Sequence, residues 1–392
     1  TGIGELGLPA DRVTALSLTS PVLAPGGLGK LSLDELTRVL SGHVYSATAE
    51  LGADAYVFSG ATRPEDLELQ MQVLAAYLTD PGLRAAPFEQ IKALFPQLLQ
   101  QLAATPGGVF QRDGTGLLAS GDRRETAPSV EEISAMTIEE LRAGVPAALA
   151  QGPIEITVVG DVEVEAVIAA VASTFGALPP RGDAPDPAPA SAQRRFPAPT
   201  ETPVRLTHTG PADQAMGFIA WPTTDQIGDR TTARQLSILA EVLQLRLNEE
   251  IREKLGLAYS PNAASSASDV YPGYGYLAAS AQTPPDALPV LFETIAAIAA
   301  DLRDNPVSED ELNRARRPAV ERTRRSMADN AYWLQQLSEA QSEPASLDQT
   351  RSQIATLEAV TAADLQRLAR EYLRAETAWR LEIVSDKAPA AQ

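Results

Sequence analysis

The 392-residue chain has no cysteine, which removes disulfides, thiolate metal sites and a cysteine nucleophile by inventory alone. Histidine is almost as scarce: His43 and His208 are the only two, and they stand 165 positions apart. Neither has a second histidine at the helical spacing that zinc binding uses, so both read as ordinary strand or turn residues. Basic charge is short as well. Lys plus Arg total 32 against 51 Asp plus Glu, a net charge of −19. That excess opposes phosphate neutralisation and repels anionic lipid, so nucleic acid and membrane are excluded as partners, whereas basic or unstructured peptides suit it. No apolar run reaches the roughly 18 residues of a membrane span. The start, Thr1-Gly2-Ile3-Gly4, offers neither an initiator Met nor a signal peptide, and the chain reads as cut from something longer. A Gly-x-Ser-x-Gly elbow is missing, and the glycines of Gly210 to Pro222 do not follow phosphate-loop order, which sets aside serine hydrolysis and nucleotide binding.

What is present is enough apolar material, 44% of residues, for more than one core, and a length that suggests two domains. An internal repeat supports that count. Leu67 and Leu288, each opening an amphipathic stretch after a Pro-containing turn, lie 221 positions apart. Asp80-Pro81 and Asn305-Pro306 lie 225 apart. Thr137 and Leu141 match Thr361 and Leu365 at an offset of 224, each Thr a candidate N-cap. The strand-like segments Ile156 to Asp161 and Leu381 to Asp386 match at 225. Between the copies, Leu178 to Pro203 is too rich in Pro for helix or ladder and reads as a linker; its Arg181-Gly182-Asp183 tripeptide reads as a chance match to an adhesion motif.

Within each copy, alternating apolar segments precede long helices and a final strand. The expected fold is therefore α+β: two homologous domains, each a mostly antiparallel sheet with helices on one face. The boundaries expected are 1–177 for a first domain that is incomplete at its N-terminus, 178–203 for the linker and 204–392 for the second domain. Val204 to Trp221 supplies early strands to the second copy, and the first copy has no equivalent stretch.

Chemistry has one strong candidate. The stretch from Thr231 to Gly256 carries Leu236, Leu239, Leu243 and Leu247 as a single buried helical stripe, with Arg252 and Lys254 in its last turns and Gly256 as a left-handed stop. Arg252 and Tyr259 are seven residues apart across the helix-to-strand turn, so both can face one cleft. Spacing alone equally allows Arg252 to complement the helix dipole and Tyr259 to pack at the strand start.

The stretch Arg252-Glu-Lys-Leu-Gly-Leu-Ala-Tyr259-Ser260 resembles one in the insulinase/pitrilysin zinc peptidases and the related mitochondrial processing peptidases, and Ile156 to Pro180 resembles the strand, Gly-Asp turn and helix that end one of that family's domains. The likeness covers nearly the whole chain. It implies paired α+β modules closing as a clamshell around a peptide chamber, with zinc carried by the first pair through an inverted His-x-x-Glu-His motif. This chain lacks that motif, so the resemblance implies the C-terminal, non-zinc-binding half, inactive on its own, with no cofactor here and zinc in a complementary half, fused or separate. Arg252 and Tyr259 are then the residues expected to reach substrate near that zinc, Tyr259 donating to the oxyanion and Arg252 holding a peptide carbonyl. The expected partners are the zinc-bearing half and a peptide; analogy suggests a bacterial periplasmic setting. The rival reading is an inactive scaffold or peptide-binding subunit of the same fold. Weaker features are the Tyr271, Tyr274 and Tyr276 cluster, read as a hairpin covering the sheet; the Tyr274 to Ser280 strand as an edge for substrate backbone; and the Arg-rich Leu312 to Ser326, read as a solvated helix face kinked at Pro318.

Overall fold

The computed structural model describes residues 1–258 and 260–387. Its chain contacts form two compact units: unit 1 comprises Thr1–Leu98, Ala127–Ala192 and Trp333–Ser342, and unit 2 comprises Leu99–Thr126, Gln193–Tyr332 and Glu343–Gln392. These units are not contiguous in sequence and so differ from the boundaries 1–177, 178–203 and 204–392. The Pro-rich stretch 178–203 forms neither helix nor strand, yet it is tethered. Arg181 donates to the carbonyls of Gly152 at 2.8 Å and Gln151 at 2.7 Å within unit 1, which is the work of its guanidinium rather than adhesion. Arg194 stacks 3.9 Å from the Tyr271 ring centroid within unit 2.

The fold is α+β. Unit 1 contains the hairpin β1 (Thr48–Leu51) and β2 (Tyr56–Ser59). Unit 2 contains β3 (Val204–His208), β4 (Ala215–Pro222), β5 (Asn262–Ala267), β6 (Gly275–Thr283) and β7 (Trp379–Ser385), in the spatial order β3-β7-β4-β6-β5. Among the described residues β3 and β7 pair in parallel and the other pairs of this sheet are antiparallel, as alternation in the sequence suggests.

Alternating residues serve two layers. Ala215, Ile219, Trp221, Leu277 and Ala279 pack against the helices Arg230–Leu247 and Leu288–Asp304. Phe218, Ala220, Ala278, Leu381 and Ile383 face the opposite way and pack against Val109 and Leu118. Phe110 meets Phe218 with ring centroids 4.7 Å apart. Helices on one face therefore describe half of this sheet. Short helical turns between Pro106 and Leu118, which come from the other side of the repeat boundary, cover the second face. Burying both faces is what allows β4 to be apolar at nearly every position.

The repeat reaches into detail. A 3-10 turn precedes the helix at Pro64–Asp66 and again at Pro285–Ala287. Thr137 and Thr361 both occupy N-cap positions, but only Thr361 uses its hydroxyl, in a capping box with Asp364; Thr137 makes no side-chain cap bond. The copies diverge at the end of the first. Ile156 to Asp161, expected to form its last strand, joins no sheet among the described residues.

The helix Arg230–Leu247 forms because Asp229 caps it, accepting from the Thr232 amide at 2.9 Å, and because no Pro or Gly interrupts it. Leu236, Leu239, Leu243 and Leu247 are all fully buried, as their spacing requires. Truncation of Leu239 to alanine should cost about 2–5 kcal/mol, read as a lowered urea midpoint at unchanged slope.

The helix Leu67–Thr79 begins differently: its N-cap residue Asp66 makes no capping bond with its side chain, and the carboxylate instead ties down the preceding loop. Asp66 is buried and accepts from the Val44 amide at 2.8 Å, lies 2.6 Å from His43 Nδ1 and accepts from Arg63 Nε at 2.6 Å. The Val44 amide, His43 and Arg63 together hold its pKa down to about 2. A depressed carboxylate contributes stability above its unfolded pKa of about 4, and that contribution is lost as pH falls through about 2. Asp66→Asn should therefore be less stable than wild type at pH 6, with the gap closing between about pH 4 and pH 2 in denaturant titrations. A gap constant across that range would show that the carboxylate is not the anchor.

Candidate functional site

After Leu247 the helix widens into a π-turn, Asn248–Lys254, in which the Leu255 amide donates to the Glu250 carbonyl at 3.0 Å. Ile251 is fully buried and fixes the turn to the core. Gly256 then adopts φ +61°, the left-handed stop that its position predicts, and the Leu257 amide returns to the Ile251 carbonyl at 3.0 Å. With Ile251 inside, its neighbour Arg252 points out. The Arg252 side chain is 47% exposed, and its ion pair is to the exposed Glu253 at 3.2 Å. Such a pair is worth at most about 1 kcal/mol, so little holds the guanidinium back from a ligand.

Tyr259 lies outside the described residues. The chain on either side of its position is anchored: Ala258 and Pro261 are buried, and Thr283 donates to the Leu257 carbonyl at 2.9 Å.

A cavity of about 640 Å³ adjoins the turn, with Leu245 and Leu255 as apolar lining and Glu249, Glu250, Asp301 and Arg314 among its charged lining. Arg246, also in its wall, is neutralised by Asp301 at 2.5 Å and Glu311 at 2.7 Å. Most of the remaining charge is paired too, since Lys254 lies 3.2 Å from Glu249 and 2.7 Å from Glu250, and the lining keeps a small acidic excess that suits a basic peptide better than an anion.

The edge beside this site is not the one that the Tyr274 to Ser280 segment suggests. β6 is bonded by β4 on one side and β5 on the other, so it has no free edge for substrate. β5 is an edge strand of the sheet, and part of its edge is already taken. Gln244, on the long helix, accepts from the Ala263 amide at 2.7 Å and donates to the Pro261 carbonyl at 2.8 Å. The carboxamide thus does for two residues what a neighbouring strand's peptide group would. No signal in the sequence marks Gln244, because its partners are 17 and 19 positions away and the pairing depends on how helix and sheet cross.

The remaining candidates are structural. Both ring nitrogens of buried His208 are occupied: Nε2 donates to the Gln214 carbonyl at 2.8 Å, and Nδ1 accepts from the Gly210 amide at 3.1 Å. His43 is the partner of Asp66. Among the described residues no three His, Cys, Asp or Glu side chains gather in a way that holds a metal ion. Tyr271 and Tyr274 are buried under the hairpin, and the Tyr274 hydroxyl donates to the Leu118 carbonyl at 3.3 Å, which binds the second layer to the sheet. In the Arg-rich stretch the helix Glu309–Ser326 runs through Pro318. Arg316 donates to the Val360 carbonyl at 2.7 Å, and Arg322 and Arg324 pair with Glu241 and Glu358 at 2.6 Å each.

Comparison with known proteins agrees with this architecture. Residues 135–318 match the family described as the Peptidase M16 inactive domain. The stromal processing peptidase of the Arabidopsis thaliana chloroplast is 21% identical over 389 residues, covering 87% of this chain and 31% of that protein. The periplasmic protease PqqL of Escherichia coli superposes with a TM-score of 0.80 at 16% identity, over 98% of this chain and 42% of its own. A peptidase M16 inactive domain from Pseudomonas fluorescens superposes with a TM-score of 0.76 at 18% identity, over 100% of this chain and 92% of its own. The chain thus spans less than half of the two full peptidases and nearly all of the inactive-domain structure. The likeness to the peptidase M16 inactive domain thus rests on residues 135–318, and the fold over nearly the whole chain is the one those M16-type structures share.

Proposed function

We propose that this chain forms one wall of a clamshell peptidase chamber and supplies Arg252 and Tyr259 to a zinc site carried by a complementary half. The observation that carries the proposal is the placement of Arg252. It projects, weakly held, from a turn that Ile251 and Gly256 make rigid, beside an acid-lined cavity. A guanidinium presented on a fixed backbone can hold a substrate carbonyl without reorganising, which is the condition for an electrostatic contribution to catalysis. Tyr259 follows by the resemblance in sequence: a phenol donates to an oxyanion where an aliphatic residue cannot. The zinc-bearing half supplies the Lewis acid and the activated water, and this chain's residues bind and orient. The cavity's chemistry favours peptides carrying basic side chains. Protein substrates and the identity of the complementary half belong to this proposal too.

The test is cleavage of a quenched fluorescent peptide library by the zinc-bearing half, with and without this chain. Activity should require the chain and should fall about a hundredfold with Arg252→Ala or Tyr259→Phe. If the chain is required but both variants match wild type, it is a chamber wall that contributes no catalytic contact. If the chain is not required, the scaffold reading replaces this one.

A further inference from the structure

Two arginines at the start of the long helix have no acidic partner, although the chain carries a net charge of −19. Arg230 and Arg234 stand four residues apart in the helix Arg230–Leu247, which places their side chains on one face. Both are half-buried. Arg234 donates from Nη2 to the Gln349 carbonyl at 2.7 Å and from Nη1 to Thr356 Oγ1 at 3.4 Å, and neither acceptor is charged. Arg230 makes no side-chain hydrogen bond or ion pair among the described residues, and its Nε is buried without a partner. Burial, and after it the charge of Arg230, hold the Arg234 pKa below the usual guanidinium range. The two cations therefore stand close enough to repel, and being partly buried they are screened poorly.

Carboxylates neighbouring these residues in sequence are committed elsewhere. Asp229 accepts from the Thr232 amide at 2.9 Å and from the Thr232 hydroxyl at 2.7 Å. Asp348 pairs with Arg351 at 2.8 Å, and Glu358 pairs with Arg324 at 2.6 Å. The segment that Arg234 holds carries a second, independent observation. Its helix, Ala345–Arg351, puts Ser346 and Gln349 on one face, three residues apart. Ser346 is only 4% exposed, and its hydroxyl has no hydrogen-bond partner. Oε1 of Gln349 is buried and has none either. Buried polar atoms are nearly always paired, so three that are not, gathered around two uncompensated cations, point to a ligand that is both anionic and rich in hydrogen-bonding atoms.

We propose that Arg230, Arg234, Ser346 and Gln349 form a binding site for hydrogen phosphate, the singly protonated dianion. Its double charge matches the two guanidinium groups. Its bare oxygens accept from Arg230 Nε and from the Ser346 hydroxyl, and its own hydroxyl donates to Gln349 Oε1. Sulfate has the same charge without that proton, and a carboxylate at neutral pH has neither the second charge nor the proton. The site lies at the opposite end of the helix from the Arg252 turn, so its occupation neither requires nor reports the contact proposed for Arg252.

The experiment titrates the 392-residue chain with sodium phosphate, sodium sulfate and sodium acetate by calorimetry, near neutral pH and at constant ionic strength in chloride. Phosphate should saturate a single site, sulfate should bind at least about tenfold more weakly, and acetate more weakly still. Arg230→Gln should weaken phosphate at least about tenfold, and Ser346→Ala at least about threefold. Without phosphate, Arg230→Gln should unfold at a higher temperature than wild type, because the repulsion on Arg234 is gone; with saturating phosphate the order should reverse. No saturable phosphate binding would overturn the site, as would a folded Arg230→Gln that binds like wild type. Equal binding of sulfate or acetate would overturn the assignment to hydrogen phosphate. A loss of stability in Arg230→Gln that is the same with and without phosphate would overturn the site too, since the arginine would then be structural.

Discussion

The placement of Arg252 depends on one leucine stripe being pressed against one sheet. Leu236, Leu239, Leu243 and Leu247 commit the helix Arg230–Leu247 to the face of β4 and β6, and each removes apolar surface from water worth about 1.5–3 kcal/mol. Because the stripe continues into Ile251, the rotation of the final turn is not free: it is the rotation that keeps Ile251 inside. Arg252 projects outward as a consequence. The same constraint aims Gln244 at the edge of β5.

The sheet carries a second commitment that runs through its other face. Phe218 is met by Phe110 at 4.7 Å and by Trp379 at 6.1 Å, so the helical turns after Pro106 are part of the core of unit 2 although they lie far upstream of it in sequence. Arg124 and Arg194, each close to the Tyr271 ring, and the Tyr274 hydroxyl tie the same segment to the hairpin before β6. Cation and ring contacts of this kind are each worth about 0.5–2 kcal/mol and act together with the burial beneath them.

Local periodicity revealed what is local. The stripe, the stop at Gly256, the capping Thr361 and the paired helices at Leu67 and Leu288 all follow from spacings within one or two turns, or from a repeat that compares like with like. The resemblance around Arg252 to Ser260 carried the family. What stayed hidden depends on partners far apart in sequence. Tyr274 to Ser280 alternates like any half-exposed strand, and only the strand order shows that it is interior. Ile156 to Asp161 carries a strand's composition yet joins no sheet among the described residues, because composition states a preference and does not supply a partner. The turns at Pro106 to Leu118 show short helical signals with nothing to say which copy they cover. Gln244 is one glutamine on a helix with several polar positions, selected by the crossing of helix and sheet.

Gln244 also gives the β5 edge a direction. The Ser268 amide bonds to the Tyr274 carbonyl of the neighbouring hairpin, so the outward groups of β5 belong to Ala263, Ser265 and Ala267. The carboxamide occupies the Pro261 and Ala263 end, the end nearest the Arg252 turn, and leaves the Ser265 and Ala267 end bare. An extended chain added to this edge by strand pairing would have to displace Gln244 to reach the Pro261 and Ala263 groups, but not those of Ser265 and Ala267.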